Sequence, residues 1–227
     1  IINDPFYTVD YLMDMSESIN KKSYFFFMAK GRSRYDAKYS LFTKKTGKLI
    51  KDIQARGHYV GLHPSYDSSI DLSSFEKNKR EVESAIGQRV LFGRGHFLRF
   101  EIPYTWQIWE DSEMQWDSTL SYADKEGFRC GVCYEFSVFN ILNRTKLSLK
   151  ERPLIVMDGS FQKYQSGLTA TMMRSEIMNL LNQVKKYNGT FVFLWHNSSF
   201  NISEWKKYEN VYESIVKNEK IYSESIV

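Results

Sequence analysis

The chain has 227 residues, long enough for a full α/β domain with a sizeable core. Its 42% hydrophobic content is ordinary for a globular protein, and no apolar run approaches the roughly 20 residues that span a bilayer. The 31 basic and 27 acidic residues are mixed along the chain and leave a net charge of +4, which argues against the basic stripe of a nucleic-acid surface.

In chain order, Asp4-Pro5 predicts the opening of a helix whose apolar positions are Val9, Leu12, Met15 and Ile19. Residues 23–29 read as a buried strand. Residues 43–56 read as a helix around Leu49, Ile50 and Ile53, stopped by Gly57, and 59–63 as a short strand. Ser73 or Ser74 is expected to cap a charged helix that runs through Ile86 and ends at Gly87. Residues 90–93 are the next strand, 105–114 a helix and 115–120 a strand. Residues 124–150 are the least regular stretch and read as a folded loop over the site. Residues 154–157 are a strand, 169–187 a long amphipathic helix closed by Asn188-Gly189, 190–195 a strand, and 205–217 the last helix. This alternation predicts one mainly parallel, barrel-like sheet in a single domain covering 1–227.

Residues 1–20 carry no signal peptide, and a leader removed ahead of residue 1 stays open. Cys130 and Cys133 form a CxxC pair without the second pair, or the spaced histidines, of a zinc site. They read as ordinary reduced cysteines, in keeping with a cytoplasmic location. Aromatic residues reach 16%; most are expected in the core, and the remainder are material for stacking on sugars.

The four histidines, His58, His63, His96 and His196, all fall at predicted strand ends or in the loops that follow. Strand ends are where repeating strand-helix folds gather ligand and catalytic groups. Imidazole suits both metal binding and proton transfer near neutral pH. The placement points to one polar site built from distant segments.

Five segments carry a resemblance. They are the run from Arg56 to Tyr66 (RGHYVGLHPSY), Gly93 to Phe100 (GRGHFLRF), Trp116 to Asp124 (WDSTLSYAD), Glu151 to Asp158 (ERPLIVMD) and Leu194 to Asn197 (LWHN). In this order, each at a strand end, they resemble the polysaccharide deacetylases, the NodB-like carbohydrate esterases, and within them a branch found with bacterial surface-polysaccharide genes. The resemblance implies a distorted (β/α) barrel of seven strands or fewer. It implies hydrolysis of the N-acetyl group of a sugar, with a carbohydrate as partner and a divalent metal, zinc first, as cofactor.

Carried over by residue, the resemblance makes His63 a metal ligand, Arg94 the arginine that holds the catalytic base, Asp117 the carboxylate that orients the acid, and His196 the general acid. His58 is read as structural, since it points the other way along the strand. His63, Arg94, Asp117 and His196 are expected to converge. The family's second ligand histidine is replaced here by Asp67, so Asp67 and His96 are the candidates for that ligand, and His96 is also a candidate sugar contact. Tyr66 and Trp106 are candidate sugar contacts, although Trp106 and Trp109, three apart on one helix face, also fit core packing. Asp158-Gly159 reads as a strand-ending turn, and Trp195 as core. The family's opening Thr-Phe-Asp-Asp motif has no counterpart, because Thr8-Val9-Asp10-Tyr11 fits a helix; the motif and the catalytic base are expected upstream of residue 1. Two further readings stand beside the deacetylase: a metal-independent C–N hydrolase of the same fold, and a non-catalytic glycan-binding relic.

Overall fold

The structure, a computed structural model, describes residues 4–218. In chain order the elements are α1 (Val9–Ser18), β1 (Tyr24–Met28), α2 (Lys44–Ala55), β2 (Tyr59–His63) and α3 (Leu72–Ile86). Then come β3 (Phe92–Gly93), α4 (Tyr104–Asp111), β4 (Trp116–Asp117), β5 (Phe136–Asn140) and β6 (Thr145–Glu151). The chain ends with β7 (Val156–Met157), α5 (Asp158–Tyr164), α6 (Ala170–Lys186), β8 (Phe193–Leu194) and α7 (Glu209–Asn218). Among the described residues no helix is long and apolar enough to cross a membrane.

The elements fall into two compact units. The first comprises residues 24–120 and 135–153 and holds a six-stranded sheet in the order β1-β2-β3-β4-β6-β5. The pairs β1/β2, β2/β3, β3/β4 and β4/β6 are parallel, so His63, Gly93, Asp117 and Glu151 all lie at C-terminal strand ends along one edge. Leu62 is in register with Gly93, Gly93 with Asp117, and Asp117 with Glu151. Successive strand residues alternate faces, which puts this row on one face and His63 on the other. A Cβ on Gly93 would lie 2.0 Å from the Leu62 carbonyl oxygen, so only glycine lets the two strands approach here. The core is built from Val60, Leu62, Phe75, Val82 and Trp109, all nearly inaccessible.

Helix ends follow side-chain chemistry. Thr43 caps α2 by accepting from the Thr46 amide, and Gly57 takes a positive φ of 75° just past its end. The cap of α3 is Asp71, whose carboxylate accepts from the Ser73 and Ser74 amides; the expected serine caps are the donors and not the acceptor. The expected opening helix starts four residues after Pro5. Asp4 accepts from the Phe6 amide through its carboxylate and from the Tyr7 amide through its carbonyl, closing a turn ahead of α1. Val9, Leu12 and Met15 are buried as their spacing requires.

Two expectations are corrected. Residues 124–150 are not a loop throughout: β5 and β6 form an antiparallel hairpin that extends the sheet beyond β4. Its second strand alternates, with Leu147, Leu149 and Glu151 buried. The predicted strands also do not share one sheet. Among the described residues β7 and β8 form a separate parallel pair, joined where the Ile155 and Val156 amides both donate to the Val192 carbonyl.

The second unit comprises residues 4–23, 121–134 and 154–218. Around β7 and β8 it packs α1, α6 and α7 with an aromatic core in which Tyr212 contacts Phe193, Trp195 and Phe200. Trp195 is buried, in line with its expected core role, and donates its indole N–H to the Ser199 carbonyl. Cys133 is also buried, and its carbonyl accepts the Thr190 amide.

Candidate active site

In the six-stranded unit, His63 ends β2 and His96 lies three residues beyond β3. The Nδ1–H of His63 donates to the carbonyl oxygen of Arg94 at 2.7 Å, and the Nε2–H of His96 donates to the carbonyl oxygen of Tyr35 at 2.8 Å. A carbonyl can only accept, so these contacts place the proton of each neutral ring on its outer nitrogen. The inner nitrogens, His63 Nε2 and His96 Nδ1, face each other at 3.0 Å. Two lone pairs at that separation repel unless a cation or a proton lies between them.

The arrangement fits two ligands of a metal ion, since ligating histidines commonly fix their outer N–H on a carbonyl. Among the described residues no group of three or more His, Cys, Asp and Glu side chains is placed to hold a metal, so the fit is a pair of ligands and not a full set. Asp67 does not join this pair. Its side chain is 66% exposed and lies 3.6 Å from Arg99, because the short helical turn after Ser65 directs it outward. His58 is buried, with its ring edge-on to Phe25.

Arg94 is buried. Its Nε donates to the Ser118 carbonyl at 2.8 Å and an Nη to the Ser118 hydroxyl at 2.9 Å, while its guanidinium lies over the Phe26 ring. Burial lowers its pKa to about 10, opposed by the nearby charges of Asp117 and Glu151. Its side chain therefore anchors the very residue whose carbonyl orients His63.

Asp117 has other partners than expected. It accepts a short hydrogen bond from Thr119, whose hydroxyl accepts the Gly95 amide, and its other carboxylate oxygen is buried with no hydrogen-bond partner. Opposite it in register, Glu151 accepts from the Trp106 indole at 3.1 Å and the Leu120 amide at 3.0 Å. Burial raises the Asp117 pKa to about 7, while Thr119 and Arg94 pull it back; burial and the Asp117 charge push Glu151 well above the usual carboxylate range. Two buried carboxyls beside one arginine thus retain a proton near neutrality. Trp106 is 7% exposed and committed to Glu151, so it presents no face to a sugar.

In the second unit, His196 follows β8 and Asp158 follows β7, and these strands are parallel neighbours. Asp158 Oδ1 lies 2.5 Å from His196 Nδ1, and Oδ2 accepts the His196 amide at 2.9 Å. Burial alone would raise the Asp158 pKa, but the His196 charge and the hydrogen bonds from His196 and Ser199 hold it below the ordinary value. The carboxylate that orients His196 is therefore Asp158, not Asp117, and Asp158 is more than a strand-ending turn. The His196 side chain is 49% exposed. Besides Asp158, sequence reasoning missed Glu151 and Tyr35. Glu151 was visible as the one acidic residue at the end of an alternating strand.

No family model and no curated protein matches the chain. Among solved structures it is similar to a protein of Mycobacterium smegmatis described as a polysaccharide deacetylase. The TM-score is 0.67 and the identity 16%, over 98% of this chain and 74% of that one. It is also similar to a protein of Pseudomonas aeruginosa PAO1 described as a polysaccharide deacetylase, and to Puue allantoinase. Each of these has a TM-score of 0.57 and 11% identity, over 79% of this chain and 59% of the other. At these identities the likeness is one of architecture: the chain has the mixed α/β fold of the NodB-like polysaccharide deacetylases.

Proposed function

We propose that the chain is a hydrolase that removes N-acetyl groups from a sugar of a bacterial surface polysaccharide or its precursor, with a divalent metal, zinc first, held in part by His63 and His96. The observation that carries this reading is the His63–His96 pair, whose outer N–H groups are tied to carbonyls and whose inner nitrogens meet at 3.0 Å. A metal bound there supplies a Lewis acid for the acyl oxygen and lowers the pKa of a water. Arg94 positions His63 through its own carbonyl. His196 is the proposed proton donor through Nε2, with Asp158 on Nδ1 fixing its ring. Asp117 and Glu151 act as a buried structural pair that fixes the strand ends.

The test is calorimetric titration of chelator-treated protein with Zn²⁺, followed by acetate release from N-acetylated sugars. One binding site, absent in His63→Ala and His96→Ala, together with metal-restored acetate release, is expected.

A second reading, a metal-independent C–N hydrolase, is favoured by the outward turn of Asp67 and the two-ligand limit of the described cluster. The His63–His96 pair would then share a proton. No zinc binding, with acetate release undiminished by chelator, would replace the first reading by this one.

A further inference from the structure

Three aromatic rings from three separate loops meet beside His96. Tyr35 comes from the loop after β1, Tyr66 from the turn after β2, and Phe97 from the loop after β3. Tyr35 lies 4.6 Å from Tyr66 and 5.4 Å from Phe97, and Tyr66 lies 5.8 Å from Phe97. The cluster is not packed away: Tyr35 is 41% and Phe97 58% exposed. Phe97 and Leu98 both adopt left-handed backbone, with φ of 57° and 53°. Such conformations are costly for residues other than glycine, and side chains held in them tend to mark function. The platform is joined to the histidine pair, since the Tyr35 carbonyl orients His96 and the Phe97 ring lies 4.6 Å from the His96 ring.

The loop that carries Tyr35 is strongly basic. Arg32, Arg34 and Lys38 are exposed. Its one acid, Asp36, is buried, with one carboxylate oxygen accepting the Ser33 amide and the other the Tyr66 amide, both at 2.8 Å. That acid is thereby spent on tying the basic loop to the turn of Tyr66. A Cβ on Gly31 would lie 1.9 Å from the Asp36 carboxylate, so the tie requires glycine there. Arg34 lies over the Tyr35 ring at 4.8 Å and donates to its hydroxyl at 2.6 Å, which directs positive charge to the rim of the platform.

We propose that Tyr35, Tyr66 and Phe97 form a stacking platform for a sugar that carries negative charge, with Arg32, Arg34 and Lys38 receiving its anionic oxygens. Aromatic faces recognise the apolar face of a pyranose, while exposed guanidinium and ammonium groups select phosphate or carboxylate. The substrate class is an anionic N-acetylated glycan unit, either phosphate-linked or a uronic acid. This deepens the function proposed above and rests on its reading of the substrate as carbohydrate.

The experiment measures binding separately from acetate release. Full-length protein is titrated with a neutral N-acetylated disaccharide, with N-acetylglucosamine 1-phosphate and with an N-acetylated amino-uronic acid. At low salt at least one anionic sugar should bind about tenfold or more tightly than the neutral one. The preference should shrink as salt is raised, as exposed charge pairs do. The variant R32A/R34A/K38A should reduce the preference to within about twofold, and Phe97→Ala should weaken all the bound sugars alike. The phosphate and uronate arms identify the source of the charge. Equal affinity for neutral and anionic sugars, or a preference that survives in R32A/R34A/K38A, overturns the proposal. Acetate release from neutral sugars without charge preference would keep the deacetylase and sink the platform. Charge-selective binding without acetate release from any sugar would keep the platform and sink the deacetylase.

Discussion

His63 and His96 are anchored by backbone carbonyls, whereas His196 is anchored by a buried carboxylate. A carbonyl fixes a tautomer without demanding charge, so each ring of the first pair turns a lone pair inward. A carboxylate favours the imidazolium, so His196 is suited to hold and release a proton. The same side chain at the ends of parallel strands is thus prepared for two tasks by the partner on its far nitrogen. Under the proposed function, cation binding falls to the His63–His96 pair and proton delivery to the Asp158–His196 pair.

The sharpest way to break this comparison is to remove one histidine from each side. His63→Ala and His96→Ala should each abolish tight zinc binding, and with it acetate release, as read by calorimetry and metal analysis. His196→Ala should leave metal content unchanged and lower kcat by about 10²–10⁴, the usual worth of a positioned acid or base. Equal loss of metal in His196→Ala would make all three residues ligands and erase the distinction. Asp158→Asn tests the partner itself. It should cost part of the His196→Ala loss in kcat, again without loss of metal.

The carboxylates give a second contrast, in pH dependence. Asp158 is held below its ordinary pKa, so its contribution to stability is present above the usual carboxylate range and is lost as pH falls through the depressed value. Asp117 and Glu151 are raised, so their contribution is present at acid pH and is lost as pH rises, for Asp117 through about 7. Thermal unfolding from about pH 2 to 8 should therefore show opposite trends, Asp158 acting in the acid part of that range, below the usual carboxylate pKa, and Asp117 between there and about 7. The advantage of wild type over Asp117→Asn should shrink as pH rises. The advantage over Asp158→Asn should shrink as pH falls. Parallel trends would remove the electrostatic difference between the two regions.

Helices other than α5, which was read as a strand-ending turn, were legible in the sequence because their signals are local. Thr43, Thr169 and Gly87 mark ends, and Val9, Leu12 and Met15 mark a buried face. Strand positions were legible but their lengths were not. An apolar run reports burial, whereas a ladder needs a partner, and the run at 90–93 yields paired residues only at Phe92 and Gly93. The β5–β6 hairpin was hidden because its turn uses Arg144 at positive φ and not glycine, though the alternation of Leu147, Leu149 and Glu151 was present. Among the candidate functional residues, His63 and His196 stood out by residue type and position. Their partners did not: the Arg94 carbonyl is a backbone atom without a sequence signature, and Asp158 meets His196 only because β7 and β8 are neighbours.

The smallest effect is expected at Asp67, where sequence reasoning and geometry differ most. The family resemblance places it where the second ligand histidine would stand. In the structure its carboxylate is 66% exposed and 3.6 Å from Arg99, an exposed pair of a kind that contributes about 0–1 kcal/mol. His96 already faces His63 at ligand-pair distance, which leaves Asp67 no place in the first pair. Asp67→Ala should therefore change zinc affinity by less than about twofold and stability by about 0.5 kcal/mol or less, as for an ordinary surface position. If Asp67→Ala instead loses zinc as completely as His63→Ala while His96→Ala retains it, the loop after β2 must turn inward on binding. His96 would then belong to the sugar platform alone.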